Sequence, residues 1–185
     1  MGDTMKKYKL FILFLFLIIG IGLIMIYSSS SIWALYKTGN KYYYLIRQSI
    51  FLVLGIIMFI VASKINFLFW KKWANYIFLV CLILLIIVLI PGIGIVRGGA
   101  RSWIGIGDFS IQPAEFMKIG FVIFTSKFLS NNPGIMKKNK YFYLYMLVVI
   151  FIFGLIMLQP DFGSGFILTI TIVSILFIDG IQMKN

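Results

Sequence analysis

The sequence predicts an all-α, polytopic membrane protein of about six transmembrane helices, and three observations carry that prediction. Of the 185 residues, 62% are hydrophobic and only 12% are charged, against about 25% charged in an ordinary soluble domain. The apolar residues come in long unbroken runs, without the polar residues that helical or strand spacing would interleave, so a soluble core does not account for them. Charged residues mark the borders of those runs, as they do when lipid is the solvent along each span.

The first run is charge-free from Leu10 to Tyr36 and predicts a span near residues 10–33. Lys6, Lys7 and Lys9 precede it, as basic residues precede a cleaved signal peptide. A signal core is only about 7–15 residues long, however, and further spans follow, so this run is read as a retained helix. The second run, between Arg47 and Lys64, predicts a span near 48–64, and the third, from Trp73 to Val96, one near 73–91. The fourth, Pro113 to Leu129, contains Glu115, Lys118 and Lys127, so its charge-free centre is only Ile119 to Ser126. From Tyr141 to Ile178 the one charged side chain is Asp161. A single helix there would reach about 57 Å, far beyond a bilayer core of about 30 Å. The chain must turn back at Gln159-Pro160-Asp161-Phe162-Gly163, because Pro160 disfavours continuing the helix and Gly163 relaxes the backbone. Spans near 141–159 and 162–179 result, and residues 1–185 are read as a single integral membrane domain.

Basic residues are retained on the cytoplasmic side of short loops. With the N-terminus inside, Lys6, Lys7, Lys9, Lys64, Lys71, Lys72, Lys127, Lys137, Lys138, Lys140 and Lys184 are cytoplasmic, whereas Lys37, Lys41, Arg47, Arg97 and Arg101 are outside. Eleven against five favours this orientation, with Lys118 set aside inside a span. The net charge of +12 is then chiefly a topology signal with some attraction to anionic lipid, and nucleic acid is not implied. Loops around 30–46 and 91–112 and the turn at Gln159 to Gly163 share the outer face.

The stretch ARSWIGIGDFSIQPAEFMK (100–118) gathers Arg101, Trp103, Asp108, Gln112, Glu115 and Lys118 between two hydrophobic runs. Gly92, Gly94, Gly98, Gly99, Gly105 and Gly107 leave the loop before Pro113 with little intrinsic order, a candidate for a re-entrant or folded-back segment. Pro113 suits a first helical position, and Glu115 would lie in the first turn, where the helix dipole favours a carboxylate. Lys118 follows at i+3, within reach of Glu115. Two readings stay open: a local ion pair at a helix start near the headgroups, or an anion-binding patch in which Arg101 and Lys118 donate to phosphate and Glu115 holds Lys118. Asp161 is open in the same way, as a helix cap or, with Gln159, as the lining of an outward cavity.

Other features are structural. Ser28 to Ser31 is expected to end the first helix, and Tyr42 to Tyr44 and Trp70 to Trp73 suit interfacial belts. Ser130 to Lys140 reads as a solvated turn. The single cysteine, Cys81, excludes an intramolecular disulfide. With no histidine and no cluster of ligand-spaced cysteines or carboxylates, a transition-metal site is not expected. No phosphate-loop or dinucleotide motif is present.

The stretch Gly99-Ala100-Arg101-Ser102-Trp103-Ile104, then Phe109-Ser110-Ile111-Gln112-Pro113-Ala114-Glu115-Phe116 and Lys118, resembles the signature of the SEDS family, the rod-shape, division and sporulation proteins of bacteria (FtsW, RodA and SpoVE types). Gln159-Pro160-Asp161-Phe162-Gly163 resembles that family's second landmark, in the right order. Phe162 and Ser164 stand where many members have Leu and Thr. The resemblance covers nearly all of this chain but only about the first half of a member.

That resemblance implies a SEDS fold of roughly ten spans in the bacterial plasma membrane. It also implies a glycosyltransferase that polymerises lipid II, an undecaprenyl-pyrophosphate-linked disaccharide, into peptidoglycan with a class B penicillin-binding protein. The polar stretch would line the cavity that receives lipid II. Arg101 and Lys118 would contact the pyrophosphate or an acidic partner, Glu115 would orient Lys118, and Gln159 with Asp161 would shape the cavity. Glycosyl transfer needs a base for the attacking hydroxyl and cationic help for the departing pyrophosphate. The cations are present. The family's usual base, an aspartate of a large outer loop after the sixth span, would lie beyond Asn185, and Asp161 is not assigned that role. The chain is therefore expected to be an N-terminal portion, from a truncated frame or split gene, that does not polymerise lipid II alone. A lipid II flippase would use the same cavity without bond formation, and a scaffold binding a cell-wall synthase would tolerate loss of Arg101 and Glu115. No cofactor is evident, and a divalent cation would have no visible site. Division, elongation and sporulation roles are all open.

Overall fold

The computed structural model describes residues 2–106 and 109–179. Gly107, Asp108 and Lys184 lie outside the described residues, and for residues 2–8 and Ile106 only the backbone is described. Among the described residues there are six α-helices: α1 (Gly2–Thr38), α2 (Tyr43–Lys64), α3 (Phe67–Ile87), α4 (Pro113–Asn131), α5 (Asn139–Met157) and α6 (Phe162–Ile178). Between α3 and α4 lie three short strands, β1 (Ile95–Arg97), β2 (Ala100–Ile106) and β3 (Phe109–Ile111). The chain divides into two compact units, residues 1–65 and 66–185.

The first unit is the hairpin of α1 and α2. Its large side chains face outward, as with Ile24 at 70% exposure and Met58 at 67%, the inverse of a soluble fold and the arrangement that lipid favours. The serine run does not end α1, which continues to Thr38. Ser30 Oγ donates to Ile26 O at 2.6 Å, so a hydroxyl that could compete with the helix is returned to it. Gly39, at φ 74°, ends the helix in the left-handed conformation, and its N–H donates to Leu35 O at 3.0 Å.

The second unit packs α3, α4, α5 and α6 around one core. Among the described residues, four helices are long and apolar enough to cross a bilayer (α1, α2, α3 and α5), and α6 is apolar but 17 residues long. The remaining helix, α4, is the one whose run is interrupted by charge. Its buried positions Ala114, Met117, Phe121, Thr125 and Leu129 recur at three- and four-residue spacing. Enclosed by protein along that face, α4 needs less lipophilic surface than a helix facing lipid on all sides. Small residues allow the close approaches: a Cβ on Gly120 would lie 2.9 Å from Cys81 Sγ of α3, and one on Gly165 of α6 would lie 3.1 Å from the Phe153 ring of α5. Tyr145 Oη donates to Thr125 Oγ1 at 2.7 Å, and Thr125 Oγ1 donates to Phe121 O at 2.6 Å, so this buried hydroxyl pair is satisfied within the bundle.

The glycine-rich segment is more ordered than its composition suggested. It is an antiparallel meander in the order β1-β2-β3, with Arg97 opposite Ala100 and Ile104 opposite Ile111. Gly98 and Gly99 occupy the two-residue hairpin at φ 59° and 86°, and a tight hairpin that needs positive φ at both central positions selects this dipeptide. A Cβ on Gly94 would meet Val88 O, and one on Gly105 would meet Phe109 O; both are backbone atoms that cannot swing aside.

Candidate functional site: the polar face at the start of α4

Three chain segments meet where α3 ends: the β-meander, the start of α4 and the turn joining α5 to α6. Folding back over the last turn of α3, Ile93 N and Gly94 N both donate to Ile90 O, at 3.2 and 3.3 Å. The absence of a side chain at Gly94 lets the stem of Arg101 pack against it, since a Cβ there would lie 2.7 Å from Arg101 Cγ. Arg101 is half-buried on β2, opposite Val96. Among the described residues its guanidinium has neither a hydrogen-bond nor an ion-pair partner. The neighbouring Arg97 is occupied differently, its guanidinium lying 5.6 Å from the centre of the Trp103 ring.

The helix start at Pro113 follows from the residues present. Proline occupies a first-turn position where its missing N–H costs nothing, and Glu115 lies in the first turn. Glu115 and Lys118 meet: Lys118 Nζ lies 2.8 Å from Glu115 Oε1, with the lysine side chain 22% exposed and the glutamate 54%. The pair restrains Lys118 at one end of its reach and leaves further N–H donors on its ammonium.

Asp161 is the N-cap of α6, and its Oδ1 accepts from Ser164 N at 3.2 Å. Its other oxygen accepts from Gln112 Nε2 at 2.5 Å, tying the residue before α4 to the α5–α6 turn. The helix cap that the sequence offers for Asp161 is present, and the second carboxylate oxygen links the α5–α6 turn to the residue before α4. In the sequence Gln112 stands in the first motif with no role of its own. Its only sequence signal was a polar residue immediately before Pro113, which says nothing about a partner 49 residues on.

Gln159 is fully buried, and its Nε2 donates to Leu85 O of α3 at 3.3 Å. Leu89 N donates to Ile86 O at the end of α3, which leaves the carbonyl of Leu85 to this side chain. Gln159 Oε1 is buried and has no partner. Its position suits holding the turn against α3, and it does not reach the surface of the polar face. Asp161 is tied to Gln112 at the start of α4, Glu115 and Lys118 pair on its first turns, the strand β2 that carries Arg101 contacts α4, and Gln159 is buried against α3. Arg101 makes no ion pair with either acid. Among the described residues no three His, Cys, Asp or Glu side chains group as metal ligands would.

The chain is similar to known proteins in sequence and in fold. The family model described as "Cell cycle protein", covering FtsW, RodA and SpoVE, matches residues 8–185. Stage V sporulation protein E of Bacillus subtilis is 38% identical over 98% of this chain and 51% of its own length. The probable peptidoglycan glycosyltransferase FtsW of Coxiella burnetii is 35% identical over 90% of this chain and 45% of its own. A chain from a structure on the coordination of polymerization and crosslinking by a peptidoglycan synthase complex superimposes with a TM-score of 0.68 at 26% identity, covering 86% of this chain and 47% of that one. The rod shape determining protein RodA of Thermus thermophilus has the same TM-score at 24% identity, over 88% of this chain and 54% of its own, a likeness of fold. The chain spans about half the length of the relatives it matches. With its polytopic helices, its two motifs and a family match over nearly its whole length, the chain belongs to the FtsW/RodA/SpoVE family of membrane proteins.

Proposed function

We propose that this chain serves the synthesis of peptidoglycan glycan strands from lipid II, and that the face formed by β2, the start of α4 and the α5–α6 turn receives the pyrophosphate headgroup. The observation that carries this reading is Arg101. It is a half-buried guanidinium in the first family motif, packed over Gly94, with no acceptor among the described residues. A pyrophosphate would supply acceptors in the planar, paired geometry that arginine suits, and Lys118, steadied by Glu115, would add a second cation. The names of the FtsW relatives and the synthase complex support the pathway. That complex couples polymerization to crosslinking, which supports a crosslinking partner, and in this reading the partner is a class B penicillin-binding protein.

In this reading the described residues bind and orient, and the chemistry needs a further group. The attacking hydroxyl must give its proton to a base. Glu115 faces Lys118, and both oxygens of Asp161 already accept, from Gln112 and from Ser164. Gln159 and Asp161 are positioning residues that keep the turn against α3 and α4. The excess of lysines in the loops assigned to the inside supports an N-terminus in the cytoplasm, so that the site faces outward.

Reconstitution with lipid II tests the proposal. The purified chain should retain lipid II and yield no glycan longer than the supplied disaccharide. A ladder of longer glycans would refute the assignment of binding without chemistry. Movement of labelled lipid II across the vesicle wall at unchanged mass would identify a flippase. A chain that retains no lipid II but still captures a penicillin-binding protein after Arg101→Ala would be a scaffold.

A further inference from the structure

The opposite ends of α3 and α4 carry a feature that neither family motif includes. Between the first turns of α3 and the last turns of α4 lies a groove of about 340 Å³, its apolar wall formed by Phe67, Trp70, Val122 and Ile123 and its rim by Lys71 and Lys127. Both lysines are half-buried. Lys71 Nζ donates to Ser130 Oγ at 3.0 Å and Lys127 Nζ to Asn75 Oδ1 at 3.0 Å, so each ammonium is fixed across the α3–α4 seam by a neutral acceptor. Among the described residues neither forms an ion pair. The dipole of α3 does not compensate Lys71, which lies in the second turn near the positive end. An ammonium has three donors, and the hydrogen bond described here engages one on each lysine.

We propose that this groove seats an anionic glycerophospholipid of the adjoining leaflet, with an acyl chain along Phe67, Trp70, Val122 and Ile123 and its phosphate against Lys71 and Lys127. A soluble anion would match the charge and leave the apolar wall bare. A zwitterionic lipid would match the wall and bring its own cation toward two lysines. An anionic lipid satisfies both, at the depth where tryptophan and lysine sit at a membrane interface. The proposal depends on the chain lying in a bilayer and not on the reading of the polar face.

Fluorescence quenching tests it. The full chain with Trp33, Trp73 and Trp103 replaced by Phe is reconstituted in phosphatidylcholine nanodiscs containing a small fraction of acyl-brominated lipid. Brominated phosphatidylglycerol should quench Trp70 about fivefold more effectively than brominated phosphatidylcholine at equal fraction. Lys71→Gln with Lys127→Gln should abolish the preference, whereas Lys137→Gln with Lys138→Gln, in the nearby loop, should preserve it. Equal quenching by the two lipids would overturn the proposal. So would loss of preference in the loop variant, which would mean diffuse surface charge, or reversal by excess inorganic phosphate, which would mean a site for soluble anions. If the single-tryptophan chain does not fold, native mass spectrometry of the unaltered chain reads the same preference in retained lipid, with the same outcomes.

Discussion

Breaking the Gln112–Asp161 bond gives a direct measure of how firmly the polar face is assembled. Asp161 accepts from Gln112 Nε2 at 2.5 Å and from Ser164 N at 3.2 Å. A hydrogen bond to a charged group contributes about 1.5–3 kcal/mol, and a good N-cap about 1 kcal/mol. Asp161 is only part-buried, so the lower figure applies to the Gln112 bond. Gln112→Ala should then cost about 1.5 kcal/mol and Asp161→Ala about 2.5 kcal/mol. The double variant should also cost about 2.5 kcal/mol, because the second substitution removes a bond already lost. Asp161→Asn keeps a cap and an acceptor and should cost about 1 kcal/mol. Unfolding by sodium dodecyl sulfate in mixed micelles, followed by helical circular dichroism, reads all four. Losses that add within about 0.5 kcal/mol would show that the two side chains are not coupled and would refute the assignment.

Three further predictions follow from the packing and the turns. Gly120→Ala should destabilise the α3–α4 pair by about 1–3 kcal/mol in the same assay, because its Cβ would lie 2.9 Å from Cys81 Sγ, and Cys81→Ala should relieve much of that loss. Failure of the second substitution to rescue the first would place the strain elsewhere. Gly94→Ala should disrupt the fold of the meander over α3, since the new methyl would meet the Val88 carbonyl, and hydrogen exchange across residues 95–106 should rise while α5 is unchanged. Gln159→Leu should change stability by less than about 1 kcal/mol, the lost bond to Leu85 O being offset by removal of the unpartnered Oε1, whereas Gln159→Ala should cost about 2–4 kcal/mol by opening a cavity.

The fold was legible in the sequence where lipid dictates it. Unbroken apolar runs, charged borders and the Pro160 turn indicated the helices and the place where the last long run folds back. The fourth run looked poorest because hydropathy measures suitability for lipid, and α4 turns its periodic face of Met117, Phe121 and Thr125 into protein instead. The extension of α1 past its serines was hidden, because a serine hydroxyl can either end a helix or return to its own backbone, as Ser30 does. The meander was hidden behind the glycine count, although the Gly98-Gly99 pair at its hairpin was a usable signal. At the polar face, the i, i+3 spacing of Glu115 and Lys118 made their contact readable, because a helix sets that geometry locally. The Gln112–Asp161 bond and the hold of Gln159 on Leu85 join residues 49 and 74 positions apart, and only the packed structure brings them together.

The affinity of the purified chain for lipid II, with and without Arg101, tests the central claim most directly. Titration in nanodiscs should give saturable binding that weakens at least about tenfold in Arg101→Ala, since a charge-assisted contact contributes about 1.5–3 kcal/mol, and that is unchanged in Lys137→Ala. Equal affinity in the wild-type and Arg101→Ala chains would contradict the assignment of this face to the pyrophosphate.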